Sequence, residues 1–185
     1  EAESFFPHLG DGGRWLFFTA APIRDADGKV VGAIETLQDV SDRHEAESAV
    51  RESEGVLAQI VLGSSVATFV IDREHRVSHW NRACEAITGV SAREVVGTRD
   101  HWRPFYPAQR PLMADLVLER AGEGTVQEFY RGKYRPSSLI EGAYEAEDFF
   151  PNFGEGGRWL YFTAAPLRNS RGELVGAIET LQDFT

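Results

Sequence analysis

One segment of the chain places aromatic residues, arginines and prolines close together. Trp102-Arg103-Pro104-Phe105-Tyr106-Pro107 is followed by Arg110 and then by Met113 on a predicted helix. Aromatic side chains form an apolar wall, and arginine binds a carboxylate or phosphate through paired hydrogen bonds. The candidate pocket residues are therefore Trp102, Arg103, Phe105, Tyr106, Arg110 and Met113.

A second interpretation of this segment is slightly favoured by the acids that come later in the chain. In it the aromatic residues cover the core, and Arg103 and Arg110 form ion pairs. The available carboxylates are Glu141, Glu145, Glu147 and Asp148. These carboxylates lie in a segment, residues 134–157, that we predict to be an acidic and aromatic insertion. The spacing of these carboxylates does not fit an EF-hand loop. We therefore favour a solvated flap, with Phe149 and Phe150 beneath it, and not a calcium site.

Cys84 is the only cysteine. A single thiol excludes a disulfide framework within the chain and cysteine-rich zinc sites, and it is typical of a reducing cytoplasm. Its position on a predicted helix favours a small packing residue.

Of the five histidines, His101 is the nearest to the candidate pocket, and we predict it to be a surface or loop residue.

The charge balance limits the classes of partner that the chain is expected to bind. The chain has 19 basic and 29 acidic residues among 185, which gives a net charge of −10. A nucleic-acid interface and attraction to an anionic membrane are therefore not expected. No apolar run approaches the length of a membrane span. The first residue, Glu1, lies inside a repeated motif, so we expect the chain to be a piece of a longer protein.

A long internal repeat organises the chain. Residues 1–41 align without a gap to residues 145–185, and 28 of the 41 positions are identical. The offset of 144 residues is too long for a solenoid and corresponds to a domain with its linker. We therefore predict the end of one domain over residues 1–41, a connector helix over 42–64, and a complete second copy over 65–185.

The connector has an apolar stripe at Ala46, Val50, Leu57 and Ile60. This spacing indicates a helix, with Ser41 or Asp42 as its N-cap. The sequence leaves two arrangements of this helix open: it packs on its own domain, or it forms the seam of a parallel dimer.

The complete copy predicts a mixed fold. Strands over 66–71 and 76–80 form a hairpin. Asn81 caps a first helix that Gly89 ends, Ser91 and Glu94 form a capping box at a second, and Pro111 lies in the first turn of a third. Strands are then predicted over 125–131, 158–167 and 173–183. This order is an α+β fold with a five-stranded antiparallel sheet and helices on one face.

The order of these pieces resembles the PAS superfamily. The matching parts are Phe69-Val70-Ile71-Asp72 with its hairpin, and Trp80-Asn81-Arg82-Ala83 leading through Thr88-Gly89 to Gly97. The closing part runs from Pro166 through the Gly172 turn to Gln182-Asp183-Phe184-Thr185. It is similar to the Asp-hydrophobic-Thr/Ser ending that passes a PAS signal into an outgoing helix. In the first copy this ending is Gln38-Asp39-Val40-Ser41.

The resemblance implies a sensory module rather than an enzyme. Such modules sense a ligand, a redox cofactor or light, and they stand upstream of a histidine kinase, a cyclic-di-GMP enzyme or a chemoreceptor region. The signal exit would consist of Asp39, Ser41, Asp183 and Thr185. The alternative is a ligand-free protein-interaction or dimerisation module.

The resemblance also implies which residues a bound cofactor would require. Haem requires a histidine on the long helix, and flavin photochemistry in this superfamily requires a cysteine in an Asn-Cys-Arg context. Neither pattern is present here, so the cofactor is left open. A homodimer is expected, because residues 14–39 form two strands whose edges need partners.

Overall fold

The computed structural model describes residues 1–154 and 156–185, without the side chains of Glu54 and Leu57. Leu57, part of the predicted apolar stripe, therefore lies outside the described side chains. The chain divides into two compact units, Glu1–Leu57 and Ala58–Thr185. No helix in the described part of the chain is long and apolar enough to cross a membrane.

The first unit is a three-stranded antiparallel sheet followed by a helix. Its strands are β1 (Ala2–Phe6), β2 (Arg14–Arg24) and β3 (Val30–Asp39), in the spatial order β1-β2-β3. A turn over residues 25–28 joins β2 to β3, where Gly28 takes a positive φ of 80° and donates its N–H to the Asp25 carbonyl. Helix α1 (Ser41–Gly63) follows β3 after a single residue and continues into the second unit.

The second unit is an antiparallel sheet with helices. The strands are β4 (Ala67–Asp72), β5 (Val77–Trp80), β6 (Tyr134–Pro136), β7 (Tyr144–Phe150), β8 (Arg158–Arg168) and β9 (Leu174–Asp183). The helices are α2 (Arg82–Thr88), α3 (Ala92–Val95), α4 (Met113–Leu118) and α5 (Glu123–Tyr130), with one 3₁₀ turn at Asp100–Trp102. The sheet order is β5-β4-β9-β8-β7-β6. The predicted α+β class is confirmed, but the sheet has six strands rather than five.

The capping signals predicted for α2 and α3 are confirmed. Asn81 caps α2 by accepting the Cys84 N–H at 2.9 Å, and Gly89 ends the helix in the left-handed conformation. Ser91 and Glu94 form the predicted capping box of α3. These short-range hydrogen bonds depend on residues three or four positions apart, which is why a sequence pattern identifies them.

The strand predicted over residues 125–131 is wrong, because this segment forms α5. Val126 and Tyr130 are both buried and lie four residues apart, which places them on one face of a helix. Arg131 then takes a positive φ of 30° and ends the helix. Aromatic and β-branched residues favour a strand locally, and packing of this apolar face outweighs that preference.

The insertion predicted over residues 134–157 is also wrong, because it contains β6 and β7. In β7, Ala146 and Phe150 are buried while Glu147 and Phe149 are exposed. Glu145 and Glu147 therefore occupy the outer positions of an alternating strand, whereas Asp148 shares the face of Ala146 and Phe150 and is half-buried. Only Phe150 is buried as predicted, and Phe149 lies on the opposite face of the sheet.

The core of the second unit lies between its sheet and its helices. Helix α4 packs against β8 and β9. The largest fully buried side chains include Trp80, Phe69, Met113, Leu116 and Leu160. This packing fixes the position of α4, which carries Met113, one of the six predicted pocket residues.

Candidate functional site

The six predicted pocket residues lie in three environments: the hydrophobic core, the exposed surface and a cavity that is described below. Phe105 is buried and stacks on Phe153 with ring centroids 5.5 Å apart, and Met113 is fully buried. Tyr106 is half-buried and has its ring 6.0 Å from that of Phe150. These three side chains therefore form part of the hydrophobic core.

Arg103 and Arg110 differ in their surroundings. Arg103 is exposed and forms an ion pair with Asp100 at 3.3 Å. Arg110 is half-buried, donates from Nη2 to the Phe129 carbonyl at 3.1 Å, and lies 4.0 Å above the Tyr106 ring. Neither arginine forms an ion pair with the four later acids among the described residues. Arg103 therefore forms an ion pair as expected, but with Asp100 instead of a later acid, and the ion pair expected for Arg110 is not found among the described residues.

Two histidines share one carboxylate beside Arg110, and sequence reasoning missed this cluster. Asp115 accepts from His75 Nδ1 at 2.6 Å through Oδ1 and from His101 Nε2 at 2.8 Å through Oδ2. The Leu112 N–H donates to Oδ2 as well, at 2.8 Å. Burial opposes ionisation of Asp115, yet the hydrogen bonds from His101 and His75 hold its pKa below its ordinary value.

Of the two positions predicted for His101, the surface is wrong, because only 2% of its surface is exposed; the residue lies in the 3₁₀ turn between α3 and α4. The 3₁₀ turn directs its ring inward against Phe69, with centroids 5.7 Å apart. The signal that was available in the sequence was Asp115, a single acid within the apolar run Leu112–Leu118. A buried carboxylate of this kind requires partners, and histidines are common ones.

A cavity of about 300 Å³ opens beside this cluster. Its lining residues are His75, Arg99, His101, Trp102, Gln109, Arg110, Pro111, Asp115 and Glu119. We call it the histidine cavity. Of the six predicted pocket residues, the histidine cavity includes Trp102 and Arg110.

Glu179 is a second buried carboxyl that the sequence analysis did not select. It lies on β9 with 3% of its surface exposed and accepts the Ala114 N–H of α4 at 2.8 Å. Burial raises its pKa to about 8. Period-two alternation with the buried Ala177 and Leu181 would have placed it on the inner face.

Cys84 is fully buried in the core. Burial raises the pKa of its thiol to about 12. A thiol held in this neutral form is a poor nucleophile.

The end of β3 and the beginning of α1 are connected by side-chain hydrogen bonds. Asp39 Oδ1 accepts the Ser41 N–H at 2.9 Å, and Ser41 Oγ accepts the Trp15 N–H of β2 at 2.9 Å. Arg14 on β2 forms an ion pair with Asp39 at 3.3 Å. The hydrogen bond from Ser41 lowers the pKa of Asp39.

The second copy repeats this arrangement at its end. Asp183 Oδ1 accepts the Thr185 N–H at 3.0 Å, and Thr185 Oγ1 accepts the Trp159 N–H at 2.9 Å. Arg158 pairs with Asp183. The structure thus brings together the predicted exit residues within each copy. It corrects the role of Ser41, whose hydroxyl binds β2 rather than capping the helix.

Comparison with known proteins identifies the fold. The family model described as the PAS fold matches residues 2–45 and 63–185. A comparison with proteins of curated function found no match.

Solved structures are similar at low sequence identity. The PAS domain of Bordetella pertussis BvgS is 20% identical, with 72% of this chain and 86% of that chain covered and a TM-score of 0.46. The PAS domain of an HTR-like protein from Haloarcula marismortui is 16% identical, with 76% and 99% covered and a TM-score of 0.46. An RNA-binding Light-Oxygen-Voltage receptor is 18% identical, with 93% of this chain but only 40% of that chain covered and a TM-score of 0.47.

Proposed function

Because the chain belongs to the PAS fold family, we propose that it is a sensory module that passes a signal from its core through a terminal strand into a helix. In this proposal a small ligand or cofactor is the stimulus. The first copy passes its signal from β3 to α1, and the second copy has the same exit at the end of β9. The module regulates a partner domain and has no catalytic step of its own.

The junction between β3 and α1 is the observation that carries this proposal. One residue, Val40, separates the strand from a helix of 23 residues. Asp39 and Ser41 join the helix to two strands at once, because one accepts a helix N–H and the other accepts an N–H of β2. A displacement of the sheet would therefore tilt or fray the start of the helix.

Substitution of Asp39 by Ala tests the exit. In the full-length protein we expect D39A to change the difference in output activity between the stimulated and unstimulated states. In the 185-residue chain we expect faster amide hydrogen exchange in the first turn of α1, since the Ser41 N–H loses its acceptor. D27A is the matched control, because Asp27 lies in the turn at the opposite end of the hairpin.

The outcome against the proposal is a D39A protein whose output and α1 exchange both equal those of D27A. A loss of folding in D39A is excluded as an explanation by comparing the far-UV circular dichroism of the two variants.

We propose that the stimulus binds near Trp102 and Arg110, two of the predicted pocket residues. Native mass and an absorption spectrum of the purified protein test whether a ligand is retained. Visible bands would indicate haem or flavin, and added mass without bands would indicate another small molecule. A protein with neither feature favours the alternative, a ligand-free interaction module.

Exposed apolar side chains on both faces of β3 support the alternative of dimerisation. Ile34 and Leu37, on opposite faces of this strand, have 53% and 61% of their surface exposed. Exposed apolar residues on an edge strand favour association with another chain. We propose a homodimer on this basis, within a cytoplasmic signalling protein whose kinase, cyclic-di-GMP or chemoreceptor output domain is elsewhere in the full-length chain.

A further inference from the structure

We infer that the histidine cavity binds a small organic carboxylate. Three neighbouring side chains in its wall each have a buried nitrogen with no hydrogen-bond partner among the described residues: His101 Nδ1, Trp102 Nε1 and Arg110 Nε. A buried polar group without a partner costs about 1–3 kcal/mol. Three such groups at one small cavity indicate a binding site whose polar contacts are supplied by a ligand.

The chemistry of the three nitrogens defines what they bind. The Trp102 indole and the Arg110 guanidinium only donate hydrogen bonds, so both require an acceptor. His101 already donates from Nε2 to the ionised Asp115, which fixes its tautomer when the ring is neutral. Its Nδ1 then accepts from a ligand hydroxyl, or donates to an anion when the ring is charged.

The charges around the cavity favour a ligand with a single negative charge. Arg99 and Arg110 are balanced by Asp115 and Glu119, which line the same cavity. A doubly charged phosphate would be repelled by these two carboxylates, whereas a carboxylate pairs with Arg110 at a lower electrostatic cost. The volume of about 300 Å³ is at the small end for ligand pockets, so the ligand is small.

The histidine cavity is separate from the space between the sheet and the helices. That space is filled by buried side chains such as Phe69, Met113 and Leu160, whereas the cavity is lined from the β4–β5 turn, the 3₁₀ turn and α4. The three nitrogens are shielded from solvent, so binding requires a small displacement of the Trp102 and Arg110 side chains.

Contacts of α4 connect the cavity to the exit strand. Asp115 lines the cavity, and the preceding Ala114 N–H donates to Glu179 on β9. Transmission of a binding event along this route rests on the proposed function. Binding of the carboxylate does not, because it is a property of the folded chain.

Calorimetric titration of the 185-residue chain tests the inference. The ligands are acetate and benzoate, their uncharged analogues acetamide and benzamide, and inorganic phosphate. We expect saturable binding of at least one carboxylate, with its amide and phosphate binding at least about tenfold more weakly, the factor that a lost charged hydrogen bond gives.

Three variants identify the site. W102F removes the indole N–H and keeps an aromatic ring, R110Q removes the guanidinium, and R103Q is the control at an exposed arginine outside the cavity lining. Affinity should fall about tenfold in W102F and R110Q and stay unchanged in R103Q. Circular dichroism checks that each variant is folded. If R110Q does not fold, the comparison of W102F with the wild type is sufficient to test the site.

The inference is overturned if neither carboxylate binds, if phosphate binds more tightly, or if W102F binds as the wild type does. These results are independent of the D39A experiment. Failed binding with an altered D39A output refutes the inference alone. Carboxylate binding with a D39A protein whose output and α1 exchange both equal those of D27A refutes the proposed function alone.

Discussion

Glu179 is a carboxyl group that folding holds in its neutral form. Burial raises its pKa to about 8 from an ordinary value near 4.3, so the folded protein binds a proton that the unfolded chain releases between these pH values. The stabilisation from this proton is fully present below about pH 4.3 and is lost as the pH rises through about 8. Glu35, its counterpart in the first copy, is exposed.

Replacement of Glu179 by Gln should remove this pH dependence. Glutamine stays neutral and keeps an oxygen for the Ala114 N–H. We expect E179Q to be more stable than the wild type by about 1–3 kcal/mol at pH 8.5, and the difference to shrink toward pH 5. Urea denaturation at both pH values measures it, with E35Q as the control. Equal differences at the two pH values would contradict the assignment.

Asn81 illustrates a residue with more partners than its sequence position indicates. Its Oδ1 accepts the N–H groups of Thr68 and Cys84, both at 2.9 Å. Its Nδ2 lies within hydrogen-bond distance of three carbonyl oxygens, those of Val61, Ser64 and Val66. The helix cap is a local pattern, whereas the other contacts exist only because the chain returns to this point.

We therefore predict a large cost for N81A. Removal of the side chain leaves several buried backbone groups without partners, and we expect a loss of at least about 3 kcal/mol in the free energy of unfolding. N152A, at an exposed turn, should change it by less than about 0.5 kcal/mol. Chemical denaturation compares the two, and equal stabilities would show that water replaces the Asn81 contacts.

At the scale of elements, the two copies place the same strand in different sheets. β9 is paired on both sides, by β4 and β8, whereas β3 is paired only with β2. A Cβ atom on Gly176 of β9 would lie 2.3 Å from the Ile71 carbonyl oxygen of β4. The equivalent Gly32 of β3 has only the Ile23 side chain nearby, at 3.8 Å or more.

The pair of variants G176A and G32A should therefore behave differently. We expect G176A to cost about 1–3 kcal/mol, because the added methyl group forces β4 and β9 apart. G32A should be neutral or stabilising by up to about 1 kcal/mol, since alanine loses less entropy on folding than glycine does. Thermal melting of both proteins provides the measurement. A similar cost at both positions would mean that β3 also pairs along its free edge, as in the proposed dimer.

At the scale of the whole molecule, the exposed surface of the first unit predicts self-association. Leu37 has 61% of its surface exposed, whereas its counterpart Leu181 has 2%. Burial of a leucine stabilises an interface by about 1.5–3 kcal/mol. L37E should therefore shift the 185-residue chain from dimer toward monomer without unfolding the second unit, and L181E should unfold it.

Analytical ultracentrifugation of the wild type, L37E and a chain that starts at Ser41 measures this effect. We expect only the wild type to sediment as a dimer. A monomeric wild type, with residues 1–40 exchanging amide hydrogens as fast as a free chain, would be evidence against the dimer.

The sequence by itself determined what depends on neighbours within a few residues. The repeat marked two similar segments, residues 1–41 and 145–185, and alternation and turn residues located β2, β3, β8 and β9. The helix ends were marked by Asn81, by Gly89 and by the capping box of Ser91 and Glu94. The Asp-hydrophobic-Thr/Ser endings indicated the hydrogen bonds at the ends of β3 and β9, because those contacts join residues only two positions apart.

Tertiary structure alone decided which of these residues are buried and paired. Glu35 and Glu179 stand in the same sequence, Gly-Ala-Ile-Glu-Thr-Leu, yet only Glu179 is covered by a helix, since burial depends on chain segments far away in sequence. The helical state of residues 123–130 required such contacts too, because Tyr130 packs on Phe162 of β8. So did the meeting of His75, His101 and Asp115, three residues from three elements that approach one another only when α4 packs on the sheet.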